Sequence, residues 1–94
     1  MLTLRVLVRA PPEKRQELIQ ALGAFIPEPS ARPCRRLLLQ AIDDEDLVCW
    51  IGEWRERDEL DRFLSSETYR ALRGAATVLG QLEDVVVAES CSDL

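Results

Sequence analysis

The chain contains no histidine in 94 residues. That absence removes the usual acid/base side chain near neutral pH, the Ser-His and Cys-His nucleophile pairs, and the commonest metal ligand. Cysteine is scarce and scattered: Cys34, Cys49 and Cys91, with no CxxC spacing. An odd count without pairing fits free thiols in a reducing cytoplasm, so a cytoplasmic location and no metal centre are expected. No apolar run approaches the ~20 residues of a spanning helix. The opening Met1-Leu2-Thr3-Leu4-Arg5 alternates instead of forming a solid block, so it is not expected to be a signal peptide. Basic residues are few, 12 against 17 acids, for a net charge of -5. Neither nucleic acid nor an anionic membrane surface suits that balance as a main partner. There is no Gly-rich phosphate loop, internal repeat or low-complexity tract.

What remains is a chain with 47% apolar residues, enough for one small core. A single domain over 1–94 is expected, with a polar tail at 89–94. Residues 1–10 alternate with period two, which predicts a strand. Pro11 and Pro12 stop it, and proline suits the first turn of the helix that follows. Leu18, Leu22 and Phe25 set that helix's apolar stripe, with Ile19 and Ile26 beside it. Three prolines in residues 27–33 predict an irregular loop. A second strand is expected from Cys34 to Ile42 and a third from Leu47 to Trp54. The acidic Asp43-Asp44-Glu45-Asp46 between them reads as a solvated hairpin tip. Residues 56–79 read as helix broken at Ser65-Ser66, with Ser66 the N-cap of the second piece and Gly80 its C-cap. Asp84 to Ala88 is the last expected strand. The order β-α-β-β-α-β predicts an α+β, ferredoxin-like antiparallel sheet with both helices on one face.

Strand alternation then assigns the other face. The fully apolar set of the first strand should meet the helices, leaving Arg5, Leu7 and Arg9 outward. In the second strand Leu37, Leu39 and Ala41 are expected inward, with Arg36, Leu38, Gln40 and Ile42 outward. In the third, Leu47, Cys49 and Ile51 are expected inward, with Val48, Trp50, Gly52 and Trp54 outward. The helix-free face would then be too apolar for water and would pair with a second copy. Arg5, Arg36, Gln40 and Trp54 would converge in a cavity between the sheets and bind a polar or anionic small molecule there. Cys49 would lie inert in the helix-side core. Trp54 itself reads first as core filler, because large aromatics are mostly packing, with pocket wall as the alternative.

The run from Leu47 to Leu72, LVCWIGEWRERDELDRFLSSETYRAL, resembles the antibiotic biosynthesis monooxygenase (ABM) family. The likeness lies in Trp54 ending a strand, the acidic Asp58-Glu59-Leu60, the Leu64-Ser65-Ser66 break and Tyr69-Arg70-Ala71-Leu72. Strand order and length extend it over the chain. The resemblance implies a dimeric α/β barrel and, among characterised members, cofactor-free oxygenation of phenolic polycycles such as anthrones. Quinol oxygenases and haem-degrading enzymes also belong there. Two positions depart from it. Relatives commonly carry a His in the segment that reads Arg62-Phe63-Leu64 here, and an acidic residue where Gly52 stands. Without His the haem-degrading branch is set aside, and only Trp54 carries over as a site residue. The expectation is a monooxygenase acting on a phenolic or quinol-like aromatic molecule without a cofactor. The alternative is a non-catalytic ligand-binding or regulatory dimer on the same scaffold.

Overall fold

The computed structural model describes residues 1–94. Strand β1 (Leu2–Arg9) leads into helix α1 (Pro12–Ala24), and a single 3-10 turn (Pro29–Ala31) follows. Strands β2 (Arg35–Gln40) and β3 (Leu47–Trp54) form a hairpin. Helices α2 (Arg57–Leu64) and α3 (Glu67–Leu79) precede the last strand, β4 (Gln81–Glu89). The four strands form one antiparallel sheet in the order β2-β3-β1-β4. This is the expected α+β, ferredoxin-like arrangement.

Local chemistry sets the boundaries. Pro12 opens α1, where its missing N–H costs nothing. Ser66 caps α3 as expected: its Oγ accepts the Tyr69 N–H at 3.1 Å. Gly80 ends α3 because the chain passes tightly over β1; a Cβ there would lie 2.6 Å from the Arg9 carbonyl oxygen. The proline-rich loop is more regular than expected, since Pro29 sits in the first turn of the 3-10 helix. Strand β4 begins three residues earlier than expected. A bulge between Leu7 and Val8 flips the alternation there, sending Leu82 toward the core.

The core lies between the sheet and the helices. Leu2, Leu4, Val6 and Val8 of β1 meet Leu18 and Leu22 of α1, Leu60 and Phe63 of α2, and Leu72 and Ala76 of α3. The first strand therefore faces as its alternation predicts. Strands β2 and β3 face the opposite way from expectation. Antiparallel partners share a face, and the pairs are Leu2–Trp54, Leu4–Gly52, Val6–Trp50 and Val8–Val48. Trp50 and Trp54 are thus buried under the helices, at 3% and 1% exposure. The pairs Leu38–Trp50 and Arg36–Gly52 carry β2 with them. Cys49, paired with Leu7 and Leu39, lies on the helix-free face and not in the core.

The reason is the aromatic cluster. Phe63 stacks on Trp50 (centroids 5.6 Å apart, planes within 4°), while Trp54 and Tyr69 tilt against it at 5.0 and 5.5 Å. The Trp54 indole N–H donates to the Ala31 carbonyl at 2.9 Å, satisfying its one polar atom in the core. Both indoles lean over Gly52, where a Cβ would come within 2.7 Å of Trp54 and 2.8 Å of Trp50.

The hairpin tip is tied down. Arg9 bonds Asp44 at 2.8 Å and also Glu83, and Arg15 bonds Asp46 at 2.5 Å. The Arg9 guanidinium holds the Asp44 carboxyl below the ordinary aspartate value, chiefly through their hydrogen bond.

Two predictions follow from this packing. Phe63→Ala should cost about 3–5 kcal/mol, and Gly52→Ala about 1–3 kcal/mol by overpacking, both read from urea unfolding. The depressed Asp44 pKa adds stability that is present above the unfolded value of about 3.9 and lost as pH falls through the folded value. Asp44→Asn should therefore flatten the loss of stability below pH ~4. An acid limb equally steep in this variant would contradict the Arg9–Asp44 link.

Candidate functional site

The reversed facing of β2 and β3 relocates the candidate site. Arg5, Arg36, Gln40 and Trp54 do not converge between the sheet and a second copy. Arg5 is exposed on the helix-free face. Trp54 is sealed beneath α2 and the 3-10 turn. Gln40 is exposed near the tip of the β2–β3 hairpin, on the same side of β2 as Arg36, and donates to the Glu45 carbonyl at 3.0 Å. Arg36 borders a hollow between α1 and the sheet edge, and Gln40 a separate, more open one of about 290 Å³ at the hairpin tip.

The hollow beside Arg36 is a groove of about 320 Å³ where α1 and the sheet edge part. Leu22 and Gly23 of α1 form one wall, Arg36 and Leu38 of β2 the other, and Trp50 lies between them. Leu38 and Trp50 reach it because they are cross-strand partners on the helix side. Phe63 takes one face of the Trp50 ring, and the residue is 3% exposed. The volume is at the lower end of small-molecule pockets. Gly23 keeps the wall low, since a Cβ there would have no neighbour within 4 Å.

Arg36 gives the groove its charge. Its Nη1 donates to the Phe25 carbonyl at the end of α1, a neutral acceptor, and it has no carboxylate partner. The neighbouring Arg35 is already paired, 3.8 Å from Glu53. An uncompensated guanidinium beside apolar walls suits a carboxylate or phenolate. The groove lining holds no Asp, Glu, Lys, Tyr or Cys. It therefore offers an anion contact and an apolar wall, but no acid or base of its own. A further hollow, about 400 Å³ beside Arg9, Lys14 and Asp46, opens more widely. Its Arg9 and Asp46 are already committed to ion pairs. No three Cys, Asp or Glu side chains are grouped to hold a metal ion.

Sequence reasoning found Arg36 but missed Trp50, Leu38, Leu22 and Gly23 as groove residues. A signal was present. The set Leu47, Cys49, Ile51, Glu53 contains a charge, whereas Val48, Trp50, Gly52, Trp54 contains none. The criterion that oriented β1 would have turned both indoles inward.

Comparison with known proteins agrees with this architecture. No curated protein matches the chain. Among solved structures, Rv0793 from Mycobacterium tuberculosis superposes with a TM-score of 0.73 at 22% identity, over 99% of this chain and 96% of that one. PA3566 from Pseudomonas aeruginosa gives 0.62 at 28% identity, over 93% and 88%. A candidate antibiotic biosynthesis monooxygenase from Chloroflexus aurantiacus J-10-fl gives 0.72 at 17% identity, over 99% and 95%. The sequence model for antibiotic biosynthesis monooxygenase matches residues 1–75, which take in all of the groove and the whole aromatic cluster. By fold, by the Trp54 and Ser65-Ser66 pattern and by that match, the chain belongs to the antibiotic biosynthesis monooxygenase family.

Proposed function

We propose that the chain is a cofactor-independent monooxygenase that takes an ionised phenolic or quinol-like aromatic molecule into the α1–β2 groove. The observation that supports this most is the Arg36 guanidinium, free of any carboxylate, beside the apolar wall of Leu22, Leu38 and Trp50. Family membership supplies the reaction class.

The chemistry balances without a further reductant. An anthrone-like substrate ionises, and its anion gives one electron to O₂. The radical pair joins as a hydroperoxide, which loses water to leave a carbonyl. One oxygen atom enters the product and the other leaves as water with the two methylene hydrogens. Arg36 would hold the anion and favour the ionised form. The apolar walls would exclude water from the carbanion. Because the groove has no base, the substrate must lose its proton to solvent. The rate should then follow the substrate's own ionisation and not that of a protein group.

The second reading, a binding module without catalysis, is favoured by Phe63. The resemblance implies a His common in this segment, whereas Phe63 is fully buried and stacked.

We propose also that the protein is a homodimer through its helix-free face. The support differs from the sequence expectation, because Trp50, Trp54 and Leu38 are not on that face. Instead Leu7, Leu37, Leu39, Cys49, Ile51 and Val86 share it. No helix covers them, and Leu39 among them is 47% exposed, so a second copy laid on this face would shield apolar side chains from water. The groove opens on the helix side, so a dimer of this kind leaves it accessible. No helix is long and apolar enough to cross a membrane.

Four outcomes test the site. A dihydroxyanthrone added to the aerobic protein should drive O₂ uptake above the uncatalysed rate, with equimolar quinone formed. Binding without uptake would leave the module reading, and no binding would sink both. Arg36→Ala should weaken binding roughly ten- to a hundred-fold, the loss of one charge-assisted contact. Gly23→Leu should block the groove while leaving the fold intact by circular dichroism. Trp54→Ala should lower stability far more than affinity.

A further inference from the structure

The helix-free face carries charges as well as aliphatics, and most of them are spent within the chain. Arg9 is held by Asp44 and Glu83, and Arg35 by Glu53. Two remain. Arg5, exposed in the middle of β1, makes no ion pair or hydrogen bond. Asp84 of β4 accepts only the neighbouring Val85 N–H, at 2.9 Å. The bulge at Leu7/Val8 separates their fates from those of their neighbours: Glu83 bonds Arg9, while Asp84 stands opposite Leu7. Arg5 pairs with Val86, so Arg5 and Asp84 are diagonal on one face, with Leu7 and Val86 on the other diagonal.

Resting on the dimer reading above, we infer that this face binds a second copy of the chain through a reciprocal ion pair. Arg5 of each copy meets Asp84 of the other, across a two-fold axis that passes by Leu7 and Val86. Two-fold symmetry requires a self-complementary patch, in which one contact implies its mirror. One unspent cation and one unspent anion, flanking an apolar centre, meet that requirement. Shape agrees as well. The molecule is a slab of 37 × 33 × 17 Å, one sheet and one helix layer thick. Its broad face is wide enough for the ~800 Å² per partner of a stable interface. Cys49, paired with Leu7 on the same face, would be covered with it. Its thiol is already pushed up by partial burial.

Sedimentation equilibrium of the full chain, with circular dichroism as the fold control, tests this. The wild type should be dimeric at micromolar concentration. Arg5→Asp and Asp84→Arg should each raise the dimer Kd at least a hundred-fold, by two like-charge contacts per dimer. The double variant should return to within ten-fold of wild type, because the swap restores both pairs. Cys49, slow to react with a thiol reagent in the wild type, should react faster in each single variant. A wild-type monomer throughout would overturn the dimer reading and this inference together. A wild-type dimer whose Kd is unmoved by either reversal, or not rescued by the swap, would overturn the ion pair alone.

Discussion

The structure depends on where two indoles can go. Trp50 and Trp54 lie two apart in sequence on either side of Gly52, and both rings close over that residue onto Phe63. Any side chain at 52 would stand in their way. Once they turn under the helices, the alternation of β3 is fixed, and register imposes the same choice on β2. Everything assigned to either face of the sheet follows from that one packing. The aromatic pairs bring about 0.5–1.5 kcal/mol each beyond the area they bury. That is a large share for a domain whose whole stability is expected near 5–15 kcal/mol.

The same choice separates two tasks. On the helix side, α1 does not quite close against the sheet edge, and the gap is walled by Leu22, Leu38 and Trp50 with Arg36 at its border. On the other side lie aliphatics and two unspent charges with no helix above them. Under the proposed function, small-molecule binding and self-association would use opposite faces, and neither would obstruct the other. Phe63 and Gly52 belong to an interior with no buried polar or charged side chain, and the only charge at the groove is cationic.

Local signals were legible in the sequence. Pro12 and Ser66 mark helix starts because capping there is decided within one turn; Gly80 marks an end, and what requires it is the close passage over β1. The β-α-β-β-α-β order followed from periodicity alone. The facing of β1 was legible because one of its alternating sets holds both arginines. That of β3 was legible on the same ground, because only the set with Glu53 holds a charge, whereas β2 carries an arginine in each of its alternating sets. The closure of both rings over Gly52 is tertiary, and no propensity records it. The β4 bulge was hidden for the same reason. Leu82 reaches the core only because Glu83 is displaced toward Arg9. With the facing reversed, Arg36 stays at a candidate site, and Arg5, Gln40 and Trp54 leave it.

The proposed site would admit an aromatic ligand beside α1, on the helix side of the sheet. Proteins retaining one tryptophan each, Trp54→Phe and Trp50→Phe, measure it most directly through fluorescence titration with a phenolic ligand. Strong quenching is expected where Trp50 remains, abolished by Gly23→Leu, and weaker quenching where Trp54 alone remains. Quenching that survives the blocked groove, but disappears on forcing the chain monomeric, would place the ligand between the sheets and contradict that site.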